Sequence, residues 1–521
     1  MKNAARYFAA TALVLGVSFA ASQGASGRPK ADPSAAAATA SPSAAPLPTA
    51  TPEPPTIAIP RLEAKIKASP DDKEALQELA AQYLSVGRNE QALGLTQRLL
   101  TLGAKTAQVY YFDGIANQSL GRIKDATTDF EAATLQDPTN AQILLTLTTL
   151  YLQTNRAADA ERVAKRATTF NPTDERVYLN YGLVLGQEGK FDDARTQFEA
   201  AAKIDPKDAS PIVLEARSYV SQKALALAAQ DFDRALVIDP KSPDALLGKA
   251  SLEAAAHNVK DAIATYEQLL AVENGDDAKA AVLIQEFELY RDEKMNDDGL
   301  AVLKRAEAAY PTAMGVHVAH GDYDFQIAKD PAGAEAEWKT ALGPAHDNPQ
   351  ALDRLGELAL SQNKKGDALG YFKRLGEVVP NDPTVMLKLG QVSALAGQYQ
   401  DARGAFMASF QLQRTPTALA GLGEADFELH NFKECTQVFA LIDHNARDFM
   451  KQNPQLLYVY GKCAVAVNDK TTARSAYTRF KVFVKPGTQL ATEINRAIAS
   501  LSGPPPKTSA SPKPTASPKP H

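Results

Sequence analysis

Cysteine, tryptophan and histidine are scarce in this chain of 521 residues, at two, one and seven. With only Cys435 and Cys463, a disulfide-rich scaffold and any multi-cysteine zinc or iron–sulfur framework are excluded. One tryptophan and an aromatic content of 7% leave the interior to alanine, leucine and a few tyrosines and phenylalanines. No sign of charge dominates. The net charge of −5 gives none of the basic footprint that general nucleic-acid binding requires. The P-loop, the GxSxG elbow and the HExxH zinc motif are all missing. Full disorder is excluded too, because 45% hydrophobic and 22% charged residues are ordinary for a folded soluble protein.

The two ends do not read as fold. Met1-Lys2-Asn3 and Arg6 precede an apolar run from Tyr7 to Ala21, the pattern of a secretory signal peptide. Residues 1–20 are assigned to it, with Ser18 and Ala20 as the small residues at the cleavage site. The run is short against the roughly 20 apolar residues of a full membrane span. An uncleaved anchor is the alternative, and the one route to membrane contact. No cysteine follows the run, which disfavours a lipoprotein. Residues 21–56 form a Pro/Ala/Ser/Thr-rich linker that cannot bury a core. Residues 503–521 form a Pro/Lys-rich tail with three lysines and no acid. Such a tail is a solvated spacer or a contact to an anionic surface such as cell wall.

Between the ends runs a period of 34. Pro138, Pro172, Pro206 and Pro240 keep that spacing. Ala92, Ala126, Ala160, Ala194, Ala228 and Ala262 keep it as well, and Gly299, Ala334, Ala368, Ala402, Cys435 and Ala473 follow with small slips. About twelve residues before most of these stands a second small residue, Gly114, Gly182, Gly321, Gly356, Gly390, Gly423 and Gly461 among them. Thr148 and Phe287 are exceptions. Two antiparallel helices approach closely only where small side chains meet. Four residues beyond the alanine comes a large filler such as Phe130, Phe198, Trp338 or Tyr477, one helical turn along the same face. Asn140, Asp208 and Ser242 offer N-cap oxygens to the next helix.

This pattern resembles the tetratricopeptide repeat (TPR) family, known for its 34-residue helix–turn–helix. Residues 175–208 match best, with Tyr178, Tyr181, Gly182, Leu185, Ala194, Phe198, Ala201 and Pro206 at the consensus places. The resemblance implies an all-α, TPR-type solenoid, a right-handed superhelix of about twelve repeats. They begin near 73, 107, 141, 175, 209, 243, 280, 314, 349, 383, 416 and 454. Ile59, Leu62 and Ile66 mark a leading half-repeat, and 488–501 a capping helix. The irregular stretch 270–279 suggests arrays at 57–276 and 277–502, with His346 to Pro349 as another boundary.

Almost every residue from 59 to 501 is consumed by repeats, so no catalytic residue and no cofactor are assigned. His317 and His320 share a helix at metal-ligand spacing, but their register faces the helix–helix core. They are read as satisfied core histidines, and no metal ligands are assigned. Cys435 and Cys463 lie on adjacent helices and are read as two buried free thiols, with a bridge as the alternative.

In this family first helices line the concave surface where partners bind. By that resemblance the partner-binding residues are Tyr111, Ile115, Leu145, Leu152, Arg176, Leu179, Leu183, Val213 and Arg217. The face is mostly apolar and amide, and it lacks the Lys/Asn clamp with which some members grip chaperone tails. It suits an extended or helical peptide. Asp353, Glu357, Glu424 and Glu428 make the C-terminal face more acidic. The reading is an exported, non-enzymatic scaffold, periplasmic or extracellular, for protein or peptide partners. The alternative is a structural protein tethered to cell wall or polysaccharide through its tails.

Overall fold

A computed structural model describes residues 53–345 and 347–501. The expected signal peptide, most of the linker and the tail lie outside the described residues. Every regular element described is helical, and none is long and apolar enough to cross a membrane.

The described chain divides into two compact units between Ala306 and Glu307. That point is C-terminal to the expected 276/277. The stretch near Gly275 is a tight connection within the first unit, where Gly275 (φ 92°) precedes the helix Asp276–Asp292.

The first unit opens with a single helix, Pro55–Ala68, which buries Ala58, Ile59 and Leu62. Hairpins follow. Their first helices are Lys73–Ser85, Ala107–Ser119, Ala141–Gln153, Glu175–Gln187, Ser210–Ser221, Pro243–Ala255 and Asp276–Asp292. Their second helices are Asn89–Thr101, Ile123–Gln136, Ala157–Phe170, Phe191–Ile204, Leu225–Ile238, Val259–Val272 and Asn296–Ala309, the last turn of which belongs to the second unit. The second unit pairs Met314–Tyr323 with Pro331–Ala341, Pro349–Ser361 with Lys365–Val378, and Pro383–Leu395 with Tyr399–Leu412. It then pairs Pro416–Glu428 with Phe432–Asn445 and Gln455–Ala466 with Lys470–Lys481, and closes on Gln489–Leu501. The chain is thus an all-α solenoid of paired helices, with twelve hairpins among the described residues.

Three local rules recur through the hairpins. First helices start on a capping side chain: Asp72, Thr106, Asn140, Asp174, Ser242, Asn348, Asp382 and Thr415 each accept an N–H of the first turn. Asp208 behaves differently from the expectation. The cap position there is Ala209, and the Asp208 carboxylate accepts from the Ser210 N–H at 2.8 Å. First helices end on a residue in the left-handed region: Gly87, Gly121, Asn155, Gly189, Lys223, His257, Lys294, Lys329, Asn363, Gly397, His430 and Asn468. The next N–H then closes back on the helix, as Arg88 N–H does on the Tyr83 carbonyl (2.8 Å) and Arg156 N–H on that of Tyr151 (2.8 Å).

The third rule is ring on glycine. A Cβ built on Gly114, Gly182, Gly321, Gly356, Gly390, Gly423 or Gly461 would stand 2.3–2.9 Å from the filler ring of the same hairpin. Those rings are Phe130, Phe198, Trp338, Phe372, Phe406, Phe439 and Tyr477, all buried. Only the absence of a side chain lets these helices close to this distance. The exception at Phe287 is an exchange of roles. The ring sits on the first helix, and Gly299 on the second receives it, with a Cβ position 3.3 Å from the Phe287 ring.

The two cysteines are a correction to the free-thiol reading. Cys435 and Cys463 are joined in a disulfide, with Cα atoms 6.1 Å apart, and both are fully buried. Cys435 occupies the small crossing place that alanine fills in most other hairpins, and the next first helix presents Cys463 to it.

Candidate partner-binding face

Within each unit, several first helices of successive hairpins touch one another. Lys73–Ser85 meets Ala107–Ser119, Ala141–Gln153 meets Glu175–Gln187, which meets Ser210–Ser221, and Pro383–Leu395 meets Pro416–Glu428. Among the described residues, second helices make no comparable contact. First helices therefore form the closer-packed edge of the stack, and their outward side chains line one strip in each unit.

A polar ladder runs along that strip in the first unit. Gln77 donates to the Gln108 amide oxygen at 2.8 Å, and one hairpin later Gln142 donates to the Tyr111 hydroxyl at 3.4 Å. Beside it, Tyr111, Ile115, Leu152, Leu179 and Leu183 are half-buried. They rest on the core by one side and keep the other free. Leu145 and Val213 differ from the expectation: at 8% and 3% exposure they belong to the core clusters and present no surface. Arg176 is folded back on Asp174, which its side chain meets at 3.0 and 2.7 Å. Arg217 reaches Asp244 on the next first helix at 3.0 Å. The strip is thus apolar and amide, with its two arginines already engaged.

In the second unit the acidic places separate into two kinds. Lys388 binds Asp353 at 2.6 Å and Glu357 at 3.0 Å, so those two acids share one cation. Glu424 and Glu428 stand apart from that lysine and are exposed, and desolvation by the surrounding protein pushes the Glu424 carboxyl above its ordinary range.

Burial raises several carboxyl pKa values away from this strip. Asp129 is pushed up to about 6 by desolvation, against the opposing hydrogen bond from Asn117 at 2.8 Å. Glu175 is pushed up to about 7, first by burial and then by the nearby Asp208 carboxylate.

The histidines read as core residues are not enclosed in an apolar core. Their side chains are 13% exposed and tied to acids. His317 Nδ1 lies 2.8 Å from Glu337, and His320 Nδ1 is hydrogen-bonded to Glu307. Sequence spacing found the two histidines and missed both acids, which arrive on neighbouring helices.

Comparison with known proteins agrees with this architecture. Tetratricopeptide repeat family models match residues 119–180, 179–243 and 354–418, in both units. Cellulose synthase operon protein C of Xanthomonas axonopodis pv. citri is 28% identical over 205 residues, which is 37% of this chain and 13% of that protein. Among solved structures, YrrB, a TPR protein with an unusual peptide-binding site, is 26% identical with a TM-score of 0.32 and covers 36% of this chain and 97% of its own. A tetratricopeptide repeat protein from Parabacteroides merdae is 16% identical with a TM-score of 0.34, covering 55% of this chain and 98% of its own. The segments matched by the family models coincide with hairpins of the observed stack. The chain carries tetratricopeptide repeats in both of its units, on a paired-helix solenoid of the kind that serves as a protein-interaction scaffold.

Proposed function

We propose that this chain is an exported scaffold of the cell envelope that holds extended or helical peptide segments against the strip formed by its first helices. The observation that carries the reading is the strip itself: half-buried Tyr111, Ile115, Leu152, Leu179 and Leu183 beside the amides of Gln108 and Gln142. Apolar anchors give affinity, and amides satisfy a partner's backbone. The basic, then apolar, N-terminus supports export, and so does a buried disulfide, since such bonds persist in oxidising compartments.

The test has two arms. Leu179→Glu with Leu183→Glu is expected to abolish capture of partners from the envelope fraction while circular dichroism stays helical. Capture that survives the double substitution refutes the strip as the binding face. N-terminal sequencing of the mature protein is expected to begin after Ala20, and a full-length product in the cytoplasmic fraction refutes export.

A second reading is a structural protein bound to cell wall or polysaccharide. The Lys- and Pro-rich tail and the relative from a cellulose synthase operon favour it. Deleting residues 503–521 would then abolish co-sedimentation with purified wall and leave protein capture intact.

A further inference from the structure

In the second unit three helices bring Glu307, His320 and Glu337 together, with His317 beside Glu337. Glu307 comes from the last turn of Asn296–Ala309, His317 and His320 from Met314–Tyr323, and Glu337 from Pro331–Ala341. Ligand atoms of Glu307, His320 and Glu337 all lie within 4.8 Å of one another. His317 Nδ1 is 2.8 Å from Glu337 and 4.0 Å from Glu307, and His320 Nδ1 is 3.9 Å from the second Glu337 oxygen. A tetrahedral ion with ligands at about 2.0–2.1 Å needs ligand atoms about 3.3–3.5 Å apart. The separations of 2.8, 3.9 and 4.0 Å lie on either side of that edge.

The outward ring nitrogens are also provided for. His317 Nε2 faces the Pro311 carbonyl at 3.4 Å, and His320 Nε2 faces the Asp324 carboxylate at 4.0 Å. A ligating histidine carries such an acceptor behind it, which fixes the tautomer and leaves the other nitrogen bare. With an ion bound, that tautomer would leave each Nδ1 bare to ligate it. Without an ion, the same contacts are made as hydrogen bonds from each Nδ1–H to its carboxylate. Neither Glu307 nor Glu337 has a lysine or arginine partner among the described residues; both acids turn to the histidines.

Asp324 opens a π-helical turn, Asp324–Ala328, the one such turn among the described residues. Turns of that kind are frequent at functional sites.

We propose that Glu307, His317, His320 and Glu337 form a binding site for one divalent transition-metal ion of the zinc class. Two neutral imidazoles and two carboxylates balance the charge of the ion, and the mixed N/O set suits zinc. With four protein ligands the site is closed, so its role is to tie three helices together and not to activate water.

The test uses the untagged full chain, stripped with chelator, loaded with zinc chloride and dialysed. About one zinc per chain is expected to remain, and cobalt in its place is expected to give the intense visible absorption of a tetrahedral complex. Glu307→Gln with Glu337→Gln keeps size and hydrogen bonding, and is expected to weaken zinc binding by at least about 100-fold. His317→Ala with His320→Ala is expected to do the same, with circular dichroism confirming the fold of each variant. A folded wild-type chain that retains no zinc overturns the proposal. So does zinc binding that is undiminished in either folded variant.

Discussion

Gly321→Ala tests the packing rule where the molecule carries its own reporter. Trp338 is the only tryptophan, and it is the ring that lies on Gly321. An added Cβ would stand 2.5 Å from the indole Nε1 and 2.6 Å from Cδ1, so the ring or the helix must move by about 1 Å. The indole is buried at 2% exposure, with Phe325 packed against it at 5.7 Å between centroids, and has no room to yield. Overpacking of this kind costs about 1–3 kcal/mol. Replacing a helical glycine by alanine returns about 0.8–1.0 kcal/mol in propensity. The net loss is therefore about 0–2 kcal/mol. Gly370 is the matched control. It lies inside Lys365–Val378 in the same unit, and its Cβ position has nothing within 4 Å. Gly370→Ala should keep the whole propensity gain, so the two variants should differ by about 1–3 kcal/mol, with Gly370→Ala the more stable. Urea unfolding of metal-free protein, followed by Trp338 fluorescence, measures both. If Gly321→Ala is as stabilising as Gly370→Ala, the ring-on-glycine account is wrong.

Other consequences are equally direct. The disulfide closes a loop with a sequence separation of 28, so reduction should cost about 3–4 kcal/mol on a chain-entropy estimate. Dithiothreitol should lower the melting of wild type and leave Cys435→Ala/Cys463→Ala unmoved; two thiols titrating in the unfolded, unreduced chain would refute the bond. Burial holds the Asp129 carboxyl at about 6, above its unfolded range, so the native state binds more protons between those values. Stability of the first unit should therefore fall as pH rises from about 4 through 6, and Asp129→Asn should remove that part of the slope in thermal melts. A melt of Asp129→Asn with the wild-type pH dependence would show that the carboxyl is solvated.

The repeat was legible because its rules are local. A proline after the second helix, a small residue at each crossing and a filler one turn along set the twelve hairpins close to where the spacing places them. The exceptions were not, because they exchange roles between helices. Phe287 breaks the spacing of small residues, and only the packing shows that Gly299 accepts its ring. The outward strip was only partly legible. One register places Leu145 and Leu179 alike, yet Leu145 is buried and Leu179 half-buried, since the depth of a side chain depends on how the next hairpin crosses it. Glu307 and Glu337 carried no signal at all beside the histidines, since only the packing of three helices joins them. The expectation of free thiols failed for a similar reason: the distance between two helices is not written in either.

Each of the twelve hairpins turns through left-handed backbone, yet only four of those turns are made by glycine. The other eight, Asn155, Lys223, His257, Lys294, Lys329, Asn363, His430 and Asn468, hold a side chain there at φ between 58° and 63°. For an L-residue that posture is disfavoured by about 1–2 kcal/mol, less for asparagine. The load is shared out among the bends, one small increment to each. At each of those eight bends glycine would meet the same backbone without that cost.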